Sequence, residues 1–203
     1  ITVVPNGIDT ERFRPVGEDE RAAFRARHGL PSGPLVGYTG RHGYEKELDA
    51  ILDIAPDIDA TVVFGGDGPA RESLESRARD TGADVRFLGF LDRDELPAFY
   101  ASLDVFAFPS PVETQGLVAL EANACGTPVV GVDSGALAET VEAGETGYHF
   151  PQDDPAAFRD AISRTLAERE ARSAACLARR DATSVQHAVD RLETVYRNTI
   201  DRR

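Results

Sequence analysis

The sequence predicts an α/β protein, a three-layer sandwich in which helices cover both faces of a parallel sheet of about six strands, and three observations carry the prediction. Short, predominantly apolar runs recur six times along the 203 residues. Stretches with apolar residues at 3.6-residue spacing lie between them, and glycine or proline punctuates the switches. A strand buried on both faces reads as a continuous apolar run, and strands that alternate with helices pair in parallel through crossover connections. In such sheets ligands bind in the crevice at the carboxyl ends of the strands.

In chain order the runs are Leu35 to Thr39, Ala60 to Phe64, Val85 to Leu88, Asp104 to Phe108, Pro128 to Val132 and Gly147 to Phe150. Helical spacing covers Glu45 to Ile54, Pro69 to Asp80, Glu95 to Ser102, Ala136 to Glu142 and Pro155 to Glu168. A further helix opens near Gly116 and stops at Gly126-Thr127-Pro128. Arg41, Gly66, Gly89, Glu113 and Ser134 each follow a predicted strand directly, which gathers them on one edge of the sheet. The last quarter, Asp153 to Arg203, reads as helical, polar and poor in motif. Neither a Pro/Gly-rich linker nor an internal repeat divides the chain, so it reads as one domain.

Net charge is −13, from 22 basic against 35 acidic residues, and a single lysine, Lys46, stands among the basic ones. This balance is the one expected of a protein kept soluble in molar intracellular salt, and a halophilic source is the preferred reading. An acidic surface argues against nucleic-acid binding, which needs a basic stripe to neutralise phosphates. At about 1 M ionic strength the Debye length is only ~3 Å, so the repulsion of an anionic ligand is screened while direct contacts survive in weakened form. The two cysteines, Cys125 and Cys176, have no spacing for zinc or a disulfide framework and read as inert thiols. No apolar run approaches the 18 or so residues of a membrane span and none reads as a signal peptide, so a soluble domain is expected.

Function is most legible in Pro109-Ser110-Pro111-Val112-Glu113-Thr114-Gln115-Gly116-Leu117-Val118-Ala119-Leu120-Glu121. Strand, loop and helix follow in that order, which puts Glu113 in the loop and Glu121 about one turn inside the helix, both within reach of one crevice. The helix N-terminus points unpaired N–H groups and partial positive charge at whatever binds, which suits a phosphate or diphosphate. Gly116 removes the side chain that would block close approach. In Gly40-Arg41-His42-Gly43-Tyr44-Glu45-Lys46 a guanidinium fork and a compact ammonium lie five residues apart around a flexed turn, a pattern suited to clamping a diphosphate.

Taken in order, several motifs resemble the retaining glycosyltransferases of the GT4 family, also called glycosyltransferase group 1. They are Val4-Pro5-Asn6-Gly7-Ile8-Asp9 with Phe13 and Pro15, Gly40-Arg41 through Glu45-Lys46, Gly66-Asp67-Gly68-Pro69, Phe87-Leu88-Gly89, the two glutamates eight apart, and Gly126-Thr127-Pro128-Val129-Val130. The resemblance runs from about Val4 to Phe158. It implies a Rossmann-like fold that forms one half of a GT-B fold, and residues 1–203 as the C-terminal nucleotide-sugar-binding domain. Residues 1–15 would lead in from the interdomain linker and 170–203 would form terminal helices that cross back, while the N-terminal acceptor domain would lie outside this chain. The resemblance further implies that Arg41 and Lys46, with backbone groups of Gly116, Leu117 and Val118, hold the donor diphosphate. Glu121 would bind the ribose, Phe90 and Leu91 would border the base, and Glu113 would be the catalytic contact to the transferred sugar.

The implied donor is a nucleoside-diphosphate sugar of UDP or GDP type, used with no metal or other cofactor, and the implied acceptor is a lipid or glycan. Gln115, where many relatives have Phe, tilts the acceptor toward lipid. The expected location is cytoplasmic, where nucleotide sugars are made, and at the inner face of the membrane if the N-terminal domain associates with it. No Ser-His-Asp arrangement presents itself, which fits a transfer in which protein groups position and stabilise.

Several other features have plainer readings. Asp57-Ile58-Asp59 looks like a metal-binding Asp-x-Asp but precedes a strand where that motif follows one. Gly65-Gly66-Asp67-Gly68-Pro69 lacks the third glycine of a dinucleotide fingerprint and any Lys-Ser/Thr pair, and reads as a tight strand-to-helix turn. His42 reads either as a contact to donor or acceptor or as an exposed turn residue. Two other functions stay open: a relative sharing the two-domain fold, such as a nucleotide-sugar epimerase or phosphorylase, and a non-catalytic nucleotide-sugar-binding module.

Overall fold

The apolar runs become six strands, β1 (Leu35–Thr39), β2 (Thr61–Gly65), β3 (Val85–Gly89), β4 (Val105–Phe108), β5 (Val129–Val132) and β6 (Gly147–Phe150). They form one parallel sheet in the order β3-β2-β1-β4-β5-β6 in the computed structural model, which describes residues 2–200. Ile1 of the expected linker segment, and residues 201–203 of the expected terminal helices, lie outside the described residues. Every residue of β1, β2, β4 and β5 is buried, as their unbroken apolar composition requires, whereas β3, at one edge, is partly exposed. The order reverses between β1 and β4, and that reversal opens a crevice at the carboxyl ends of these two strands.

Nine helices follow the chain among the described residues: α1 (Glu18–Arg27), α2 (Asp49–Ile54), α3 (Arg71–Thr81), α4 (Leu96–Ser102), α5 (Leu117–Ala124), α6 (Leu137–Thr140), α7 (Pro155–Ala167), α8 (Arg169–Ala178) and α9 (Val185–Ile200). Helices α2, α3 and α7 pack together, and α1, α4, α5 and α8 make a second group. These groups are the two outer layers of the sandwich.

One helix escapes the sequence reading and two expected helices are corrected. Helix α1 carries no apolar stripe that sequence periodicity could find: its single buried residue, Phe24, packs edge-on against Phe99 of α4, with ring centroids 6.2 Å apart. Acidic residues in its first turn and Arg25 and Arg27 in its last suit the helix dipole instead. The helix expected over Glu45 to Ile54 is broken: Tyr44–Lys46 form a 3-10 turn, Glu47 takes a left-handed φ of 51°, and α2 starts two residues later. The break lets Lys46 face the crevice while Leu48 enters the core. Finally, the helix expected over Ala136 to Glu142 shortens to α6, because Val141 turns to extended backbone and is buried.

The loops at the carboxyl edge pack backbone on backbone. Gly66, at φ 102°, donates its N–H to the Gly89 carbonyl at 2.6 Å, and a Cβ on it would stand 2.0 Å from the Gly40 carbonyl oxygen. Ile8 exchanges backbone hydrogen bonds with Thr183 and Val185, each 2.9 Å, tying the N-terminal segment to the start of α9. Helix α9 buries none of its residues and leaves Val185, Val189, Leu192, Tyr196 and Ile200 exposed at helical spacing.

Candidate functional site

Two loops meet at the reversal point. The first leaves β1 as Gly40-Arg41-His42-Gly43 and runs into the 3-10 turn that carries Lys46; the second leaves β4 at Pro109 and carries Glu113 to Gly116. Lys46 Nζ donates to Glu113 Oε1 across the crevice, with both side chains less than one-fifth exposed. Two residues 67 apart in sequence thus become partners. Arg41 is held separately: its Nη1 donates to Glu45 Oε1 at 2.6 Å, and its side chain remains 62% exposed.

Gly116, at φ 62°, caps α5 without any side-chain cap, and a Cβ there would meet Thr140 Oγ1 at 3.0 Å. Among the described residues no acceptor faces the N–H groups of Leu117 and Val118, the first two of α5. Orphan N–H groups at a helix start suit an anion, and the Lys46 ammonium is held against the loop that leads into this one.

Glu121 lies one turn farther along α5 and does not share the Lys46 contact. Its Oε2 accepts from the hydroxyl of Tyr100 at 2.9 Å. Burial pushes the Glu121 carboxyl above its ordinary value, against the opposing pull of the Tyr100 hydrogen bond and the Arg93 charge. Phe90 stands 79% exposed just after β3. Leu91 is buried, its Cδ1 2.8 Å from where a Cβ on Gly65 would lie, so only its backbone can face a ligand.

His42 is neither an exposed turn residue nor a group offered to a ligand; it is fully buried. Its ring stands edge-on to Phe64 and Phe87, its Nε2 donates to the Gly65 carbonyl at 3.1 Å, and its backbone pairs with Asp67 and Ala70. Burial lowers its pKa, and Nδ1 is enclosed without a partner among the described residues. The glycine-rich segment after β2 is the tight turn that its sequence suggests. Cys125 and Cys176 are free and buried, with thiols pushed up to about 12 by desolvation. Among the described residues no three His, Cys, Asp or Glu side chains are grouped as metal ligands would be.

Sequence reasoning missed Tyr38, Tyr100, Ser110 and Arg93. Tyr38 lies beneath Gly40, where burial and the charges of Glu113 and Glu45 raise its pKa. Ser110 is buried in the loop that carries Glu113, its hydroxyl without a partner among the described residues. Tyr38 sits in an apolar strand run and Tyr100 on the apolar face of a helix, where both count as core; only their polar tips could have flagged them.

Residues 20–177 match the profile of the family described as glycosyl transferases group 1. The chain belongs to the glycosyltransferase group 1 family. Similar proteins include the sulfoquinovosyl transferase SQD2 of Arabidopsis thaliana, 37% identical over 184 residues, a match covering 87% of this chain and 35% of that protein. A GDP-mannose-dependent phosphatidylinositol monomannoside mannosyltransferase of Mycolicibacterium smegmatis is 37% identical over 179 residues, covering 81% of this chain and 47% of its own. The group 1 chain described here thus spans half or less of these relatives' length.

Solved structures agree on the architecture. Sucrose-phosphate synthase from Thermosynechococcus elongatus superposes with a TM-score of 0.84 at 30% identity, over 100% of this chain and 53% of that one. Anabaena HepE, solved with UDP, gives 0.86 at 21% identity over 97% and 57%, a likeness of fold. The fold is the Rossmann-like α/β fold of these GT-B structures.

Proposed function

We propose that this group 1 chain is the donor-binding, C-terminal half of a retaining, metal-independent glycosyltransferase that moves a sugar from a UDP- or GDP-type nucleotide sugar to a lipid or glycan acceptor. The observation that carries the reading is the Lys46–Glu113 pair at the sheet's reversal point, beside the open N-terminus of α5. A cation for phosphate and a carboxylate for the reacting sugar are already side by side. The C-terminal placement is supported by a structure from Francisella tularensis titled as the C-terminal domain of a group 1 family protein, LpcC. It superposes with a TM-score of 0.74 at 25% identity, over 85% of this chain and 95% of that one.

In this reading the donor diphosphate draws Lys46 away from Glu113 and settles on Lys46, Arg41 and the N–H groups of Leu117 and Val118. Gly116 leaves the backbone open, Glu121 takes the ribose, and Phe90 and the Leu91 backbone border the base. As the bond from the sugar's anomeric carbon to the diphosphate oxygen breaks, negative charge grows on the leaving group, where the cations and the helix dipole stabilise it. Glu113, released from its partner, faces the positive charge on the sugar. The acceptor oxygen bonds to the same face and passes its proton to the departing diphosphate. Arg41, Lys46 and the helix end supply the positive charge that a metal ion would otherwise bring.

The acceptor would bind to an N-terminal domain outside this chain, and the exposed apolar face of α9 is where we place its contact. That domain would also mediate any association with the cytoplasmic face of a membrane; no described helix is long and apolar enough to cross one. The test is titration calorimetry of the isolated chain with UDP, GDP and ADP at high salt. Binding by one or more is expected without sugar transfer, and no binding by any of them overturns the reading.

A further inference from the structure

We infer that Tyr100 is a positioning residue for ribose recognition: its hydroxyl holds one oxygen of the Glu121 carboxylate so that the other is aimed at the sugar hydroxyls of a bound nucleotide. The inference rests on the reading of Glu121 as the ribose contact and adds a residue to it.

Tyr100 belongs to α4 and Glu121 to α5, the two helices that pack side by side against the sheet on the face of the reversal point. The Tyr100 ring is fully buried, edge-on to Phe13, Phe99 and Phe106 at centroid distances of 6.1, 5.8 and 5.6 Å. Its backbone carbonyl is also claimed, by the Thr127 hydroxyl at 2.5 Å. Ring and backbone are thus fixed on both sides, and the hydroxyl has one direction to point. That direction is Glu121 Oε2, at 2.9 Å.

Nothing about packing requires the hydroxyl. A phenylalanine would fill the same volume and make the same edge contacts, and burying a phenol is favourable only with a partner for its O–H. The polar tip is explained by what it touches. Glu121 needs such a restraint, since among the described residues it makes no salt bridge and accepts no other hydrogen bond, and Arg93 acts on it only through longer-range charge. A flexible carboxylate held by one strong donor on a rigid ring keeps its second oxygen in a fixed place, which lowers the cost of ordering it when a ligand arrives. The same donor favours the ionised carboxyl, which burial disfavours. Tyr100 therefore supports both the aim and the charge of the group meant for the ribose.

The experiment compares a nucleoside diphosphate with its 2′,3′-dideoxy analogue, using whichever of UDP or GDP binds the chain more tightly. The ratio of the two dissociation constants isolates the ribose hydroxyls from phosphate and base. Wild type is expected to prefer the ribose form by tenfold or more. In Tyr100→Phe the ratio should fall at least fivefold while the affinity for the dideoxy analogue stays within twofold of wild type. In Tyr100→Phe/Glu121→Ala it should fall no further than in Glu121→Ala alone. A thermal melt of each variant confirms folding.

If Tyr100→Phe weakens both ligands equally, or leaves the ratio unchanged while Glu121→Ala collapses it, the positioning role is wrong and the ribose contact stands. If Glu121→Ala leaves the ratio intact, the ribose assignment itself fails and the inference falls with it. Should Tyr100→Phe not fold, Tyr100→Met serves instead: it fills the site without a donor for Glu121, so the ratio should fall by the same factor, and an unchanged ratio overturns the inference.

Discussion

Lys46 and Glu113, from the loops after β1 and β4, neutralise one another across the point where the strand order reverses. Arg41, on the same loop as Lys46, is tied only to its near neighbour Glu45 and stays exposed. The two cations should therefore respond differently to removal. Lys46→Ala leaves Glu113 unpaired in a largely buried place and should cost about 1–3 kcal/mol of stability, most of it recovered in Lys46→Ala/Glu113→Ala. Arg41→Ala should stay within about 0.5 kcal/mol of wild type, as surface changes do. Both should weaken nucleoside diphosphate binding by roughly 1.5–3 kcal/mol and leave nucleoside binding nearly unchanged. Urea unfolding and calorimetry check the two halves, and equal losses for diphosphate and nucleoside would make these residues structural.

Glu113→Gln keeps shape and one acceptor oxygen and deletes the charge. In the full-length enzyme kcat should drop by about 10² or more, on the scale of one preorganised electrostatic contact. Nucleotide affinity should hold or tighten, because Lys46 loses its strongest competitor for phosphate. Normal turnover would remove Glu113 from catalysis.

Glu121 carries a pH signature. Its folded pKa lies above the ordinary 4.5, so below pH 4.5 it is protonated folded and unfolded alike and costs nothing. As pH rises through 4.5 and then through the folded value, the buried charge destabilises the fold. Glu121→Gln should match wild type in acid and exceed it at neutral pH by about 0.5–2 kcal/mol, a common gain where function keeps a destabilising group. Thermal melts at several pH values read the crossover, and in the full-length enzyme the same variant should raise the donor KM.

Gly66→Ala places a Cβ against the Gly40 carbonyl at a φ that L-residues rarely adopt. The strain alone is worth about 1–3 kcal/mol, and the collision adds to it. Denaturant titration should show the loss, and because the loop cannot keep its path, diphosphate affinity should fall with it.

His42 supplies the opposite sign to Glu121. Burial depresses its folded pKa below 6.5, so as pH falls past 6.5 the unfolded chain gains a proton that the folded one refuses. Stability should decline on that limb by up to about 1.4 kcal/mol per pH unit. Subtracting the pH profile of His42→Gln isolates this contribution; identical slopes would show that the ring takes up its proton as readily in the folded chain as in the unfolded one.

All six strands and most helices were legible because the strands are predominantly apolar runs, buried except at the β3 edge, that need no partner to be recognised. Lys46, Glu113, Gly116 and Glu121 were legible through residue type beside a strand end. Pairing was not. That Glu113 meets Lys46, and Glu121 meets Tyr100, depends on which strands are neighbours and how two helices lie together, and local spacing holds neither fact. Helix α1 escaped because one phenylalanine anchors it and dipole-matched charges do the rest. His42 was misread because a histidine between two glycines resembles a turn residue, while the turn itself folds under the sheet edge and encloses the ring.

The lone lysine has a practical reach. With the α-amino group set aside, the whole chain offers amine-directed reagents one side chain, and that amine stands in the crevice with Glu113 as its partner. Acylation or reductive methylation of this protein is thereby a site-specific event. Its rate reports how often the ammonium leaves the carboxylate, and protection by a ligand reports occupancy of the site with no mutation or label introduced.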